Sequence, residues 1–219
     1  MHGHRMHAMG LSALPAGEGR RGHVVIAAPS TLLDQAEIER ALAVLVAPGQ
    51  AFEIRILAPH RAGRNWQPKV TFGYFDDPGC LVGALAGLRL DAAKGIYITL
   101  NPIEPTLLAR SHNRFADAKN DSTTPDKYIL SRRWLLVDLD PVRPPEISAS
   151  DQEKAVAHDR CRDIYQALMI AGWPAPVVAD SGNGYHQLYR VDLPSDDARI
   201  KRCLQALDLR FSDPAVKVD

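Results

Sequence analysis

Trp134-Leu135-Leu136-Val137-Asp138-Leu139-Asp140-Pro141 is an apolar run that ends in two carboxylates one residue apart. An extended chain of period two puts Asp138 and Asp140 on the same face of a strand. Like charges that close, at the end of a buried strand, repel each other and lose hydration unless a cation or a basic group compensates them. A divalent metal is the simplest compensation; the plainer reading is a solvated strand end partnered by Arg132 or Arg133. The uncharged run 134–137 argues for a central strand rather than an exposed edge.

Working outward toward the C-terminus, residues 141–145 form a stiff proline-rich connection. Ser150 and Glu153 have capping-box spacing, and Ala157, Cys161, Ile164, Leu168 and Met169 give the next helix a buried stripe that ends at Gly172. A strand over 175–179 leads into Asp180-Ser181-Gly182-Asn183-Gly184, and strand-like alternation resumes over 186–191, a hairpin with a glycine-rich tip. A helix over about 195–207 and a strand starting at Ala215 complete the chain, whose last residue is Asp219.

Toward the N-terminus, the spacing of Ile38, Leu42, Leu45 and Val46 predicts a helix over 34–46. Residues 52–57 and 70–75 read as an antiparallel pair. Their connection holds Arg61, Arg64, Trp66 and Lys69, a composition suited either to gripping a nucleic-acid strand or to an ordinary solvated loop. Asp77-Pro78 opens a short helix with Leu81, Leu85 and Leu88 inward, and residues 95–100 form a strand stopped by Asn101-Pro102. The polar stretch 111–127, which contains Arg114, Thr123 and Thr124, reads as a long functional or mobile loop.

The 219 residues carry 26 basic and 26 acidic side chains. Zero net charge excludes a strongly basic, DNA-coating protein, so any nucleic-acid contact rests on local basic patches. Three widely spaced cysteines, Cys80, Cys161 and Cys203, suit neither zinc nor a disulfide framework and read as buried thiols in a reducing cytoplasm. No apolar run approaches a membrane span. The His-rich opening reads as a disordered leader over 1–22, followed by a lobe over 23–100 and a core over about 101–219.

Asp138 and Asp140 suit Mg2+ or Mn2+, which take carboxylate oxygens and keep waters for substrate phosphates to displace. In Ser181-Gly182-Asn183-Gly184-Tyr185-His186 the glycines allow backbone amides to form an anion-binding concavity while His186 donates to a phosphate oxygen; the competing reading is an Asn-Gly hairpin turn with a surface histidine. A Walker-type loop is absent. Three carboxylates meet only if the strands carrying Asp138 and Asp219 are neighbours.

The segments Leu136-Val137-Asp138-Leu139-Asp140, Ser181-Gly182-Asn183-Gly184-Tyr185-His186 and Val216-Lys217-Val218-Asp219, in that order, resemble the three motifs of the archaeo-eukaryotic primase superfamily, and more narrowly the primase-polymerase domains of plasmids, phages and other mobile elements. The similarity runs from about Ile96 to Asp219. It implies an α+β protein of two lobes, an N-terminal α/β lobe and a catalytic core of RNA-recognition-motif type, with the site in the cleft between them. By motif position it implies that Asp138, Asp140 and Asp219 bind two Mg2+ or Mn2+ ions and that His186 contacts the nucleotide phosphates in a pocket shaped by Ser181, Gly182 and Asn183. Arg114, Arg132 and Arg133 are candidates for phosphate contacts; each is equally a surface charge paired with nearby acids. Family members continue past the third aspartate, so a truncated chain is expected. The activity implied is that of a DNA primase or DNA polymerase, a template-directed nucleotidyltransferase acting with nucleoside triphosphates on single-stranded or primed DNA, with a helicase domain or protein as a further partner. A non-catalytic nucleic-acid-binding replication module and a metal-dependent nuclease are the alternatives.

Overall fold

The computed structural model describes residues 34–57, 70–88, 90, 93–118, 124–144 and 147–219, together with the backbone of 4–6. Arg61, Arg64, Trp66, Lys69, Thr123 and the remainder of the expected leader lie outside the described residues.

The chain is α+β, with two antiparallel sheets. The first sheet holds β1 (His4–Met6), β2 (Phe52–Leu57), β3 (Val70–Phe75), β4 (Gly95–Ile98) and β5 (Arg114–Asp117) in the order β1-β4-β2-β3-β5. Helices α1 (Gln35–Leu45) and α2 (Pro78–Ala86) bury their apolar sides against it. Asp34 caps α1 by accepting from the Glu37 N–H at 3.0 Å, and Asp77 caps α2 ahead of Pro78 by accepting from Gly79 N–H at 2.7 Å, because side-chain oxygens at these positions satisfy otherwise orphaned amides. The hairpin of β2 and β3 has the expected register, with Phe52 opposite Phe75 and Leu57 opposite Val70.

The second sheet is built from β6 (Ser131–Pro141), α3 (Asp151–Ile170), β7 (Val177–Asp180), β8 (Tyr185–Pro194), α4 (Ala198–Phe211) and β9 (Val216–Val218), in the strand order β7-β8-β6-β9. A strand-helix-strand-strand-helix-strand chain in that order is the split β-α-β arrangement. Strand β6 is central, as its uncharged run requires. Its odd residues Leu135, Val137 and Leu139 pack on Ala157, Cys161, Ile164 and Leu168 of α3 and Leu207 of α4. Its even residues Trp134 and Leu136 join Leu42, Leu45, Phe52 and Leu81 of the first lobe. One core therefore runs through both lobes, and Trp134 Nε1 donates to the Leu45 carbonyl at 2.9 Å across it. Ser150 and Glu153 close a capping box at the start of α3.

Three sequence readings need correction. The stretch 111–127 is not a continuous loop: Arg114–Asp117 adds β5 to the edge of β3. Met169 is 52% exposed, because at the end of α3 it falls just outside the stripe that Leu168 closes. Cys80 is exposed in the first turn of α2, whereas Cys161 is buried and Cys203 half-buried.

Candidate active site

The even face of β6 carries the site. Asp138 lies opposite His186 of β8 on one side. On the other it exchanges backbone hydrogen bonds with Asp219, the residue after β9: Asp138 N–H donates to Asp219 O at 2.7 Å and Asp219 N–H to Asp138 O at 3.0 Å. Val216 and Val218 point toward the helices and are fully buried, so alternation turns Lys217 and Asp219 to the opposite face. His186, Asp138 and Asp219 thus form a row across three adjacent strands, with Asp140 one pleat further along. The strands of Asp138 and Asp219 are neighbours, which was the condition for three carboxylates to share a face.

His186 is only 5% exposed, so it is not a surface histidine. Its Nε2 lies 3.2 Å from Asp138 Oδ1. That separation suits an ion pair, yet the oxygen is buried and accepts no properly directed hydrogen bond among the described residues. A buried carboxylate oxygen without a donor is costly unless a positive charge reaches it. Neither Arg132 nor Arg133 serves: Arg132 Nε donates to the Ser195 carbonyl at 3.0 Å and Arg133 Nη1 to Gln50 Oε1 at 3.0 Å. Burial pushes the Asp140 carboxyl above the usual carboxylate range, and the charges of Asp138 and Asp219 push it further, against the opposing pull of Arg143 and His186.

Gly184 makes room for this arrangement. A Cβ there would come within 2.1 Å of the Leu139 carbonyl oxygen and 2.8 Å of Asp140 Oδ1. The rest of the hairpin tip is tied to itself and to α3. Gly182, at φ 90°, donates its N–H to Asp180 Oδ1 at 2.7 Å; Gly184 N–H donates to Ser181 Oγ at 2.9 Å. Asn183 Oδ1 accepts from Ala149 N–H at 3.1 Å, and Lys154 Nζ reaches Asp180 at 2.8 Å. Two of the amides that the sequence offers to an anion are therefore occupied by the loop's own side chains, and Ser181 and Asn183 shape the turn that delivers His186. Despite its burial, Asp180 is held below the usual carboxylate range by Lys154 and the Gly182 amide.

Asp138 and Asp219 open on a cleft of about 820 Å3 between the lobes, lined also by Glu53, Arg55, Thr124 and Arg132, whereas His186 and Asp140 lie behind its lining. Glu53 escaped the sequence reading. It is 2% exposed, its Oε2 accepts from Thr124 N–H at 3.1 Å, and Arg55 lies 3.7 Å away. Its Oε1 has no donor among the described residues. The available signal was a charged pair, Glu53 and Arg55, on one side of an otherwise apolar strand. Arg114 does not reach the cleft; it is exposed at the start of edge strand β5.

Asp219 pairs with Lys217 on its own strand, and this contact raises the Lys217 pKa. Among the described residues no three His, Cys, Asp or Glu side chains converge to enclose a metal ion. Asp138, Asp140 and Asp219 nonetheless supply carboxylate oxygens on one face, the ligand type that hard divalent cations take, with His186 as the basic neighbour of Asp138. Comparisons with protein families, with curated proteins and with solved structures find no significant match to this chain.

Proposed function

We propose that this chain is the catalytic region of a template-directed nucleotidyltransferase of the primase-polymerase type, with its RNA-recognition-motif-like core formed by the second sheet and its two helices. The observation that carries the reading is the row His186–Asp138–Asp219, with Asp140 beside it, on the cleft face of that sheet. Three sequence segments widely separated in the chain meet there, and together they offer the carboxylates and the phosphate donor that nucleotidyl transfer uses.

Asp138 and Asp140 would hold Mg2+ or Mn2+, with Asp219 as the outer carboxylate. Bound divalent ions supply charge neutralisation for the triphosphate and lower the pKa of the attacking 3′-hydroxyl. The chain's own part is positional. Asp138 anchors the carboxylate pair on a central strand, Gly184 keeps Asp140 unobstructed, and the tied hairpin tip fixes His186 beside the place where the phosphates lie.

Incorporation of nucleotides into primed and unprimed single-stranded DNA, with either metal, tests the reading. The expected result is template-dependent addition that is lost in Asp138→Ala combined with Asp140→Ala. Unchanged addition by the double variant removes the metal assignment, and no addition by a folded, DNA-binding wild type removes the polymerase reading. The ion pair between Lys217 and Asp219 favours one second reading, a nucleic-acid-binding module that keeps the fold without turnover; that protein binds the oligonucleotide and incorporates nothing.

A further inference from the structure

Where β6 and β8 lose register beyond Trp134 lies a second polar concavity, lined by Pro102, Ser131, Arg133, Arg190, Val191 and Asp192. Its origin is a register shift between β6 and β8. Arg132 pairs with Leu193 and Trp134 with Arg190, so that Val191 and Asp192 together face Arg133 alone. Such a bulge re-aims side chains, and here Arg133 and Arg190 both line the concavity. Arg190 lies over the Trp134 ring at 5.2 Å from its centre. Arg133 is held by Gln50.

These cations lack anions. Neither arginine forms an ion pair with a carboxylate among the described residues, and Asp192 is exposed at the rim. Among the described residues Arg133 Nε has no acceptor, and neither has Nε2 of Gln50, which stands behind the lining of the concavity. Burial and the charge of Arg190 both lower the Arg133 pKa. Two like charges on one concavity, with N–H groups unspent, match what a tetrahedral oxyanion offers: several acceptor oxygens and a charge that relieves the repulsion.

We infer that the Arg133–Arg190 concavity is a phosphate-binding subsite that takes the phosphodiester backbone of a single-stranded nucleic acid. Its place favours a strand over a free nucleotide. Arg190 stands four residues from His186 along β8, about 13 Å between Cα atoms at the rise of a strand, so a strand running along β8 would pass both. The exposed guanidinium of Arg190, backed by the Trp134 ring, adds a planar surface at the mouth, of the kind on which bases of any sequence rest. The inference relies on the nucleic-acid part of the function proposed above and not on turnover.

Binding of a labelled single-stranded oligodeoxynucleotide, followed by anisotropy across a salt series, tests it. Arg190→Gln is the primary variant, because Arg190 is exposed and its replacement leaves the core intact; Arg133→Gln and Arg133→Lys are the second pair, accepted only if their melting temperatures match the wild type. The expected result for Arg190→Gln is a complex weaker by roughly threefold to tenfold, with the slope of log K against log salt reduced by about 0.7, the value for one phosphate no longer neutralised. An oligonucleotide with neutral methylphosphonate linkages should bind wild type and variant alike. An unchanged affinity and slope in Arg190→Gln overturns the subsite, as does a wild type that binds no oligonucleotide. Weaker binding of a nucleoside triphosphate alone, with oligonucleotide binding intact, overturns the strand as the phosphate source. A wild type that incorporates no nucleotide but shows the slope change loses the polymerase reading and keeps the subsite.

Discussion

Asp138 and Asp219 exchange both of their backbone hydrogen bonds, at 2.7 and 3.0 Å, although the whole of α3, β7, β8 and α4 lies between them in the chain. A hydrogen-bonded antiparallel pair holds its two Cα atoms about 5.5 Å apart with side chains on one face. The separation of the two Cα atoms is thereby set by the main chain, and side-chain substitutions around them leave it in place unless they move β9.

Strand β9 is short and is held by Val216 and Val218, both fully buried, and by Ser212, whose Oγ accepts from Val218 N–H at 2.9 Å. Val218→Ala strips buried methyl groups and should cost about 2 kcal/mol, a fall in melting temperature of about 6 °C for a chain of this size. Thermal denaturation measures the cost. Weaker Mn2+ stabilisation of the variant should accompany it, because Asp219 follows directly.

Gly184→Ala places a methyl group against the Leu139 carbonyl and the Asp140 carboxylate. Overpacking against backbone costs about 1–3 kcal/mol. Under the proposed metal site Mn2+ should raise the melting temperature of the wild type, and Gly184→Ala should abolish that rise, since Asp140 must turn away; Gly83→Ala, in α2 with open space around its Cβ, should retain it.

Asp140 carries a raised pKa from burial and from the neighbouring aspartates. Its folded-state pKa exceeds its unfolded value, so between the two the folded protein binds more protons, and stability falls as pH rises through that window. Asp140→Asn removes the slope. In chelator-treated buffer the variant should melt higher than wild type near neutral pH, by about 3 °C if the relief is about 1 kcal/mol, and the difference should shrink on acidification. Equal melting temperatures at every pH would contradict the electrostatic account.

Asp180 has the opposite sign. Burial pushes its carboxyl up, but Lys154 and the Gly182 amide hold it below the ordinary carboxylate range, so its contribution is present above that range and is lost as pH falls through the depressed value. The pair is partly exposed and worth under about 1 kcal/mol. Lys154→Met should change global stability little while accelerating amide exchange at Gly182 and Gly184, read by hydrogen exchange.

Local chemistry made much of the fold legible. Asp77-Pro78 and Ser150-x-x-Glu153 announce helix starts because capping is satisfied within four residues, and the run 134–137 announces a central strand because a two-sided burial leaves no polar position. Arg114-Phe115-Ala116-Asp117 announces nothing, since it is a strand only by virtue of the β3 edge beside it. The same limit hid half of the site. That Asp138 and Asp140 share a face follows from strand period, whereas the meeting of Asp138 with His186 and Asp219 depends on strand order, which no local pattern encodes. Glu53 looks like the solvent side of a hairpin because Thr124, whose amide it accepts from, and the segment that packs on neighbouring Tyr74 come some fifty residues and more later in the chain. Arg190 carries no local signal at all, because the bulge beside it is a property of two strands together.

The cluster that the even face of β6 shares with the first lobe, pinned by Trp134 on the Leu45 carbonyl, bears on how anything enters the cleft. Proteins that close on a ligand as jaws need a greased but separable joint between their halves. Here the joint is the interior itself, and prising it open would expose Trp134, Leu136, Phe52 and Leu42 to water. Widening the cleft by parting the two sheets would therefore carry the cost of uncovering that whole cluster, so access from its already open side is the cheaper route.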